Sequence, residues 1–504
     1  MKRFLNYAVL LSCAVVSSHA ATYTVINTND TGAGSLRWAI LAMQTSTPPN
    51  EIHFNIPGPG PHTIKVGDAL PFMTNSVSVL GNTQPGYTGA PLVTVLGPST
   101  NALDYGMVIQ GPNSLIRGMR VSGFTQVDSG TGISIGGKPN QQIAACVLDG
   151  NFNGIIAQGG LVGGASTNDR NIIINNENGI WTVTGSTATI RGNFIGVQAD
   201  GVTPAGNTNG IRTFYTSGLT IDGHPNYPQV ISGNGNAGIL LGPNGGYVHM
   251  SSGNTIRGNH IGTDVTGMLA VPNYIGIHSW GGAANIIGGS GANDRNIIAG
   301  NTGSGVLLEG FLLVTPSAYN NQVRGNYIGL AADGMTPIPN DIGVHILNGS
   351  SNIVGGTAAG QGNRFGASEF YQVYISATPY ISGTNQFLIC YSNIVHGNWI
   401  GVSTGNTVIP GGQTGIYILN ASNNVVGGTT TNARNVIGGA GTGIYISGTN
   451  AQNNRVIGNL IGCGPNGEVF PNNSYGVNIF QAPRNFIGGA YTNEGNTISG
   501  NLFY

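Results

Sequence analysis

The fold is decided by VRGNYIGLAADGMTPIPNDIGVHIL (323–347), because close copies of its first seven residues recur along the chain. Five copies of the form I/V-x-G-N-x-I-G are present: IRGNFIG (190–196), IRGNHIG (256–262), VRGNYIG (323–329), VHGNWIG (395–401) and VIGNLIG (456–462). Their asparagines are spaced by 66, 67, 72 and 61 residues. A period of this kind indicates a repeat architecture.

Further short segments recur between these copies, such as GIHSW (276–280), NIIGG (285–289) and GVHIL (343–347). Each holds one or two β-branched aliphatics bounded by Gly or Asn, which is typical of a short strand with a turn at each end. Stacked coils would bury Ile and Val between neighbours, and Asn at equivalent corners would form hydrogen-bonded ladders. The sequence therefore predicts an all-β fold, a parallel β-helix with three strands per coil, right-handed by the rule for parallel crossovers.

The N-terminal part of the mature chain has a different pattern, and we expect a cap over residues 21–50 followed by the β-helix over 51–504. In NTNDTGAGSLRWAILAMQ (27–44), Leu36, Ile40 and Met43 recur at helical spacing. Ser35 precedes them and is a residue type that caps helices. We expect a short helix that plugs the first coil, since an open parallel edge invites aggregation.

At the other end, TISGNLFY (497–504) stops in mid-cycle. Two interpretations are open: Phe503 and Tyr504 lie over the last coil, or a partner chain covers it.

The first twenty residues, MKRFLNYAVLLSCAVVSSHA (1–20), have the features of a secretory signal peptide. Lys2 and Arg3 precede an apolar run, and small residues lead to a cleavage site after Ala20. The alternative is a lipid-attachment box ending at Cys13. No later stretch approaches the roughly 20 apolar residues of a membrane-spanning helix. We therefore expect an exported protein, secreted or at the cell surface, without a transmembrane segment.

The composition limits the possible partners. Only 7% of the 504 residues are charged and 85 are Gly, while 40% are hydrophobic. The formal net charge of −1 supplies no phosphate-neutralising surface, so a nucleic-acid partner is not expected. No metal-ligand spacing or cofactor fingerprint is present, so we expect no metal and no cofactor. Cys146, Cys390 and Cys463 are far apart; at most one pair could form, and small buried side chains are the favoured interpretation.

The chain resembles the exported bacterial parallel β-helix repeat proteins of the pectate-lyase-like fold superfamily. The resemblance is carried by NTNDTGAGSLRWAI (27–40), EIHFNIPGPGPHTI (51–64) and the RNIIAGN (295–301) and GNYIG (325–329) repeats, and it covers nearly the whole mature chain. It implies the fold and export. It does not select an activity, because pectate lyases, polygalacturonases, uronan epimerases, phage tailspikes and adhesins share this architecture.

In the enzymes of that superfamily the catalytic groups project outward from one strand face, so the outward positions are of interest. Two-residue alternation points Ile416 and Ile418 inward and Tyr417 and Leu419 outward. Carried from coil to coil, it predicts an aromatic outward face that suits the apolar faces of sugar rings. The candidate binding residues are Trp181, Arg212, Phe214, Trp280, Tyr374, Tyr417 and Tyr445. The alternative is that these rings stack on each other and stiffen the rod.

Three polar residues of this face, His278, Glu309 and His345, fall on successive coils, which are about 4.8 Å apart. A carboxylate between two imidazoles could act as a general acid or base, so these are the candidate catalytic residues. Pectinase-like mechanisms need several carboxylates, and only Asp341 lies near. The alternative is that all three are ordinary solvated side chains.

Other charged residues recur once per cycle, among them Arg170, Arg295 and Arg434 at the start of the R-N-x-I segments. Residues in phase with the repeat are expected to have a structural role as cross-coil ion pairs or ladders.

Three functions are compatible with this pattern. The first is a secreted or surface-exposed, adhesin-like protein that binds polysaccharide or a cell-surface glycan. The second is a polysaccharide lyase, hydrolase or epimerase that works around His278, Glu309 and His345. The third is a structural spacer.

Overall fold

The chain folds as a parallel β-helix, as the repeats predict. The computed structural model describes residues 20–98, 103–242, 250–311, 317–382, 385–387 and 389–503. The predicted signal peptide lies outside the described residues except for Ala20. Three parallel sheets and one α-helix make up most of the regular structure of this part of the chain.

Each complete coil contributes one strand to each sheet, and we name the sheets A, B and C in chain order. Sheet A contains Ala21–Val25, Asn50–Phe54, Val77–Leu80, Leu115–Arg117, Gln142–Ala144, Leu161–Gly163, Thr189–Arg191, Thr220–Asp222, Thr255–Arg257, Ile286–Gly288, Gln322–Arg324, Ile353–Gly355, Ile394–His396, Val425–Gly427, Arg455–Ile457 and Phe486–Ile487. Sheet B contains His62–Lys65, Val93–Leu96, Met119–Ser122, Val147–Asp149, Ile172–Ile174, Phe194–Ile195, Gln229–Ile231, Asn259–Ile261, Ile297–Ile298, Tyr327–Ile328, Arg364–Phe365, Trp399–Ile400, Val436–Ile437, Leu460–Ile461 and Thr497–Ile498. Sheet C contains Tyr105–Ile109, Thr131–Ile135, Asn153–Ala157, Asn178–Thr182, Asn209–Thr213, Ala237–Leu241, Ile275–Trp280, Ser304–Glu309, Asn340–Leu347, Ser368–Ser376, Thr414–Leu419, Thr442–Ser447 and Val477–Phe480. A short antiparallel pair, Tyr380–Ser382 and Asn385–Phe387, stands apart from the three sheets.

The core is a stack of aliphatic side chains, one coil above the next. In sheet A, Ile190 pairs with Ile221, and Ile221 pairs with Ile256. All three are fully buried. A single coil could not bury these side chains alone, so each coil is stabilised by its neighbours.

Asparagine ladders line the corners of the coils, as predicted. In the ladder between sheets A and B, Asn326 Nδ2 donates to Asn363 Oδ1 at 3.1 Å, and Asn363 Nδ2 donates to Asn398 Oδ1 at 3.0 Å. The backbone N–H of each asparagine donates to the same acceptor oxygen, as in Asn326 N to Asn363 Oδ1 at 3.0 Å. The buried amides of the ladder are therefore hydrogen-bonded in series.

Hairpin loops follow alternate strands of sheet B and stack on one another. Backbone hydrogen bonds join each loop to the one two coils before it. The N–H of Val265 donates to Gly201 O at 2.9 Å, and that of Ala332 donates to Gly267 O at 3.0 Å. The N–H of Thr404 donates to Gly334 O at 3.0 Å. Gly334 has a φ of 67°, and a Cβ there would lie 2.6 Å from Thr404 Cγ2. Both the left-handed backbone and the close approach of the next loop require glycine.

The predicted N-terminal helix, which we name α1, spans Leu36–Gln44, and Ser35 Oγ accepts a hydrogen bond from Trp38 N at 3.2 Å. Its apolar face is buried in the core through Leu36, Ala39, Ile40 and Met43. The strand Ala21–Val25 precedes α1 and pairs with Asn50–Phe54 in sheet A. Residues 21–50 thus contribute a strand as well as a helix. None of the described helices is both long and apolar enough to cross a membrane.

The opposite end of the core is open in the described chain. Its inward side chains Ile479, Ile487 and Ile498 are 41%, 39% and 43% exposed. Their partners on the preceding coil are buried: Ile446, Val456 and Ile461. Phe503 packs beside Tyr475, with ring centroids 5.8 Å apart, and leaves these aliphatics uncovered; Tyr504 lies outside the described residues.

The three cysteines are free and buried, as the favoured interpretation has it. Burial raises the pKa of the Cys146 and Cys390 thiols to about 12, so both are neutral.

Candidate functional site

The outward face of sheet C carries a continuous row of side chains, which we name the outer row. Strand register aligns its members directly from coil to coil: Trp181, Arg212, Leu240, His278, Leu307, His345, Tyr374, Tyr417, Tyr445 and Asn478. Each alternates along its strand with aliphatic or small side chains that point into the core, such as Ile416 and Ile418 beside Tyr417. The two-residue period therefore fixes which side chains share this face.

Four rings of the outer row form one stack, which we name the tyrosine stack. The ring centroids of His345 and Tyr374 are 4.5 Å apart, those of Tyr374 and Tyr417 5.1 Å, and those of Tyr417 and Tyr445 4.9 Å. The interplanar angles are 18°, 15° and 11°. The ring faces contact each other, so the rings present their edges and hydroxyl groups outward. In these coils the rings therefore stack on each other, as the alternative to sugar binding had it.

Two hydroxyl groups of the stack, those of Tyr374 and Tyr417, are described by their contacts and pKa. Tyr417 Oη lies 2.8 Å from Ser447 Oγ, within hydrogen-bonding distance. Burial raises the pKa of Tyr374 and of Tyr417, so both phenols keep their protons at neutral pH. Phenol groups can then both donate and accept hydrogen bonds.

Two further aromatic residues extend the stack, and sequence reasoning missed them. The Tyr371 ring lies 4.9 Å from that of Tyr374 and 5.1 Å from that of Tyr417, and exposed Phe370 lies 6.3 Å from Tyr371. The segment EFYQVY (369–374) contained the signal. The strand Ser368–Ser376 is longer than the repeat predicts, and its register against Asn340–Leu347 shifts where the extra residues enter.

His278 and Glu309 come together as the sequence predicts. Nε2 of His278 lies 2.8 Å from Oε2 of Glu309. The indole of Trp280 stacks beside the imidazole, with centroids 5.8 Å apart and planes at 17°, and it also meets Phe311. An imidazole held by a carboxylate and an aromatic plane has a fixed orientation, which is what proton transfer to a bound group requires.

His345 does not join this pair. Its Nε2 lies 2.9 Å from Ser376 Oγ, and among the described residues it makes no hydrogen bond with Glu309. Burial lowers the pKa of His345 to about 4, and the charge of Glu309 offsets this only in part. The Glu309 carboxylate therefore contacts the imidazole of His278 and not that of His345. His345 is a neutral member of the tyrosine stack.

The remaining candidate binding residues form a separate group near the N-terminal end of the outer row. The Arg212 guanidinium carbon lies 5.9 Å from the Trp181 ring centroid, and Arg212 is nearly buried. Phe214 directly follows the strand Asn209–Thr213. Leu240, His278 and Leu307 separate Arg212 from the tyrosine stack, so the predicted binding residues form three groups: this one, Trp280 beside His278, and the tyrosine stack.

Sheet B carries a second surface, which we name the arginine groove. Its floor is the outward row Tyr327, Arg364, Trp399, Val436 and Leu460. One wall is formed by Arg295 and Arg434, which lie on turns between sheets A and B. The groove encloses about 490 Å³.

Cross-coil ion pairs, expected for the charged residues in phase with the repeat, form in several coils. Asp294 contacts Arg257 at 3.3 Å, and Asp169 contacts Arg117 at 2.8 Å. Arg295 instead stacks over Tyr327, 4.2 Å from its ring centroid. Position within the repeat therefore did not predict which arginine receives the carboxylate.

The described residues contain no group of three or more His, Cys, Asp or Glu side chains placed to hold a metal ion.

No protein-family model matches the chain, and a search of curated proteins finds no match. Among solved structures, the chain is similar to the Dettilon tailspike protein, with 17% identity over 86% of this chain and 68% of that chain and a TM-score of 0.48. It is also similar to the A-module of the mannuronan C-5 epimerase AlgE6 from Azotobacter vinelandii, with 10% identity over 96% and 99% of the two chains and a TM-score of 0.42. The catalytic domain of a GH87 α-1,3-glucanase is similar at 13% identity over 95% and 69%, with a TM-score of 0.33. At these identities the likeness concerns the fold alone.

Proposed function

We propose that this protein binds polysaccharide, free or on a cell surface, along the outer row of sheet C. The observation that carries the proposal is the tyrosine stack: one half-buried ring per coil, at centroid separations of 4.5–5.1 Å, on a rigid parallel sheet. A polymer lying along the rod would meet a regular series of ring edges and phenol hydroxyls.

The stack is suited to binding because it is ordered before any ligand arrives. Each ring is held by its neighbours, and Tyr417 is also held by its contact with Ser447. Fixing a side chain in advance removes the entropy cost that a mobile side chain pays on association. Tyr combines an apolar ring with a polar tip, which matches the mixed surface of a sugar.

The test is binding of the mature protein to a panel of neutral and acidic polysaccharides, measured by affinity electrophoresis. We expect Tyr417→Ala together with Tyr445→Ala to weaken binding about tenfold or more, since each aromatic contact contributes on the order of 1 kcal/mol. The matched control is Tyr491→Ala, which removes a 79% exposed tyrosine on the turn between the last strands of sheets A and B. Equal binding by the double variant and the wild type would refute the proposal.

A polysaccharide lyase, hydrolase or epimerase is the second candidate, and the His278–Glu309 contact of 2.8 Å favours it. Product release from the same polysaccharides, including the absorbance of unsaturated products, separates it from binding alone. Turnover that is abolished in Glu309→Gln and kept in Tyr491→Ala would establish an enzyme. No turnover on any polysaccharide of the panel would leave binding as the function.

Action on polysaccharide outside the cell requires export, which we infer from residues 1–20. N-terminal sequencing of the protein recovered from the culture fluid or cell surface should begin at Ala21. A mature chain that begins at a lipid-modified Cys13 would instead indicate membrane anchoring.

A further inference from the structure

The arginine groove is distinct from the outer row, because it lies on sheet B, and its charges are unbalanced. Its lining includes Arg295, Arg364 and Arg434, and none of its lining residues is an aspartate or glutamate. For Arg295 and Arg434 the described residues supply no acceptor to the guanidinium group, and the Nε of each is buried without a hydrogen-bond partner. Three cations therefore share one groove in a chain of which only 7% is charged.

This excess of positive charge sets the groove apart from most of the rod. Elsewhere arginines are commonly matched with carboxylates, at 2.6–3.3 Å in five pairs: Arg37 with Asp30, Arg117 with Asp169, Arg191 with Asp222, Arg257 with Asp294 and Arg455 with Glu494. Burial, and in smaller part the charge of Arg295, lowers the pKa of Arg364, so the cations of the groove repel each other. An anionic ligand would relieve this repulsion.

The guanidinium planes are held in place by aromatic rings. Arg295 stacks over Tyr327 at 4.2 Å, and Arg364 stacks over Trp399 at 4.6 Å from the ring centroid. Stacking uses the face of the guanidinium and leaves its N–H edges available, apart from Arg364 Nη1, which donates to Ser403 O at 2.6 Å. Such edges donate paired hydrogen bonds to planar or tetrahedral oxyanions.

The groove is long and has an apolar floor. It runs from Tyr327 to Leu460 over five successive strands of sheet B, a length of about 19 Å at about 4.8 Å per strand. The partly exposed rings of Tyr327 and Trp399 provide its apolar surface, whereas Val436 and Leu460 are nearly buried. A single small anion would use one arginine and leave most of this surface bare.

We propose that the arginine groove binds an acidic polysaccharide, with carboxylate or sulfate groups on the guanidinium edges and sugar rings over the apolar floor. Carboxylate and sulfate present the same paired oxygens to arginine, so the experiment distinguishes them. Single-stranded nucleic acid is disfavoured, because the chain has a net charge of −1 and supplies no extended phosphate-neutralising surface.

The test uses the mature protein with polygalacturonate, dextran sulfate, neutral dextran and a single-stranded RNA oligonucleotide, with dissociation constants measured at two ionic strengths. We expect Arg295→Gln with Arg434→Gln to bind the acidic polysaccharide about 100-fold more weakly, about tenfold for each charge-assisted hydrogen-bonding group that is removed. The described part of the chain supplies neither guanidinium with an acceptor, so the variant should fold; an unchanged thermal unfolding curve checks this. Arg295→Lys with Arg434→Lys, which keeps the charge and removes the paired geometry, should give an intermediate affinity.

The matched control is Arg170→Gln. Arg170 occupies the same position in its repeat and stacks over Phe194 at 3.9 Å, but it lies outside the groove. We expect this variant to bind as the wild type does. Tyr417→Ala with Tyr445→Ala should leave the ionic-strength dependence of the dissociation constant unchanged, which separates the groove from the outer row.

Four results would overturn the proposal. They are no binding of either acidic polymer, equal binding of neutral dextran, a decrease in affinity in Arg170→Gln as large as in the double variant, and tighter binding of RNA than of either polysaccharide. Stronger binding of polygalacturonate than of dextran sulfate would assign carboxylate as the recognised group, and the reverse order would assign sulfate.

Discussion

Asn326 illustrates how one side chain joins three coils. Its Oδ1 accepts from Asn296 Nδ2 at 2.9 Å, and its Nδ2 donates to Asn363 Oδ1 at 3.1 Å and to Ile287 O at 2.9 Å. The side chain is fully buried. Every one of these groups would lose its partner if the amide were removed.

We therefore expect Asn326→Ala to lower the free energy of unfolding by about 1–3 kcal/mol for each donor left unsatisfied. Guanidinium chloride unfolding followed by circular dichroism measures the change. Asn496→Ala is the control, because Asn496 ends the same ladder and is half-exposed, so water can replace its bonds. Equal destabilisation of the two variants would contradict this account.

His345 gives the protein a predicted pH dependence. Its pKa is about 4 in the folded state because of burial, against about 6.5 in an unfolded chain. Below pH 6.5 the unfolded state binds the proton and the folded state does not, so stability falls as the pH drops towards 4. The decrease is at most about 3.5 kcal/mol, at about 1.4 kcal/mol per pKa unit.

We expect His345→Gln to flatten the plot of unfolding free energy against pH between 4 and 6.5. A residual slope belongs to His260 and His396, since burial lowers the pKa of both. An unchanged slope would show that His345 is protonated in the folded state, and its imidazole resonance would then titrate above pH 5.

Sequence reasoning places the side chains of the outer row on the correct face but does not give their contacts. Two-residue alternation determines on which side of a sheet Tyr417 and His345 lie. It does not determine the rotamer, which directs His345 towards Ser376 and away from Glu309. The rotamer depends on the neighbouring coils and on burial, and these are not local properties of the sequence.

Among the elements, α1 has the most clearly separated faces. Ile40 is fully buried in the core, whereas Leu41 is 53% exposed. We expect Ile40→Ala to cost about 2–5 kcal/mol, because packing is removed and a cavity remains. Leu41→Ala should change stability much less, because about half of Leu41 is already in solvent and alanine favours helix. Thermal unfolding of the two variants compares them, and equal destabilisation would show that α1 does not cap the core through Ile40.

Strands and α1 were predictable because each has a local signature, a two-residue or a 3.6-residue period. The turns between sheets A and B have none. They include the short 3₁₀ helices Thr167–Asp169, Ala292–Asp294 and Thr431–Ala433, and they carry Arg170, Arg295 and Arg434. Their stacking on rings of the next coil depends on which residue follows one turn of the rod later, so the arginine groove was not foreseen.

At the scale of the whole molecule, the two ends of the rod differ. α1 covers the core at one end, while Ile479, Ile487 and Ile498 are 39–43% exposed at the other. In a stack where each coil is stabilised by its neighbours, the end coil has the lowest local stability.

We expect amide hydrogen exchange, followed by mass spectrometry, to be fastest in peptides from 477–503 and slowest in the middle of the rod. Peptides from 21–54 should exchange more slowly than those from 477–503, and Ile40→Ala should reduce this difference. Uniform exchange along the chain would instead indicate that the rod opens as a single unit.

The stacked hairpin loops limit how the length of this molecule can change. Thr404 donates to Gly334, and Ala332 donates to Gly267, so each loop needs a partner two coils away. Removing residues 330–401 would join Gly329 to Val402 and bring Thr404 opposite Gly267, with the loop column intact. Removing a single coil would place a loop against a coil that has none. Insertions and deletions that preserve the fold should therefore add or remove two coils at a time. The number of coils in this rod can then change only by even numbers.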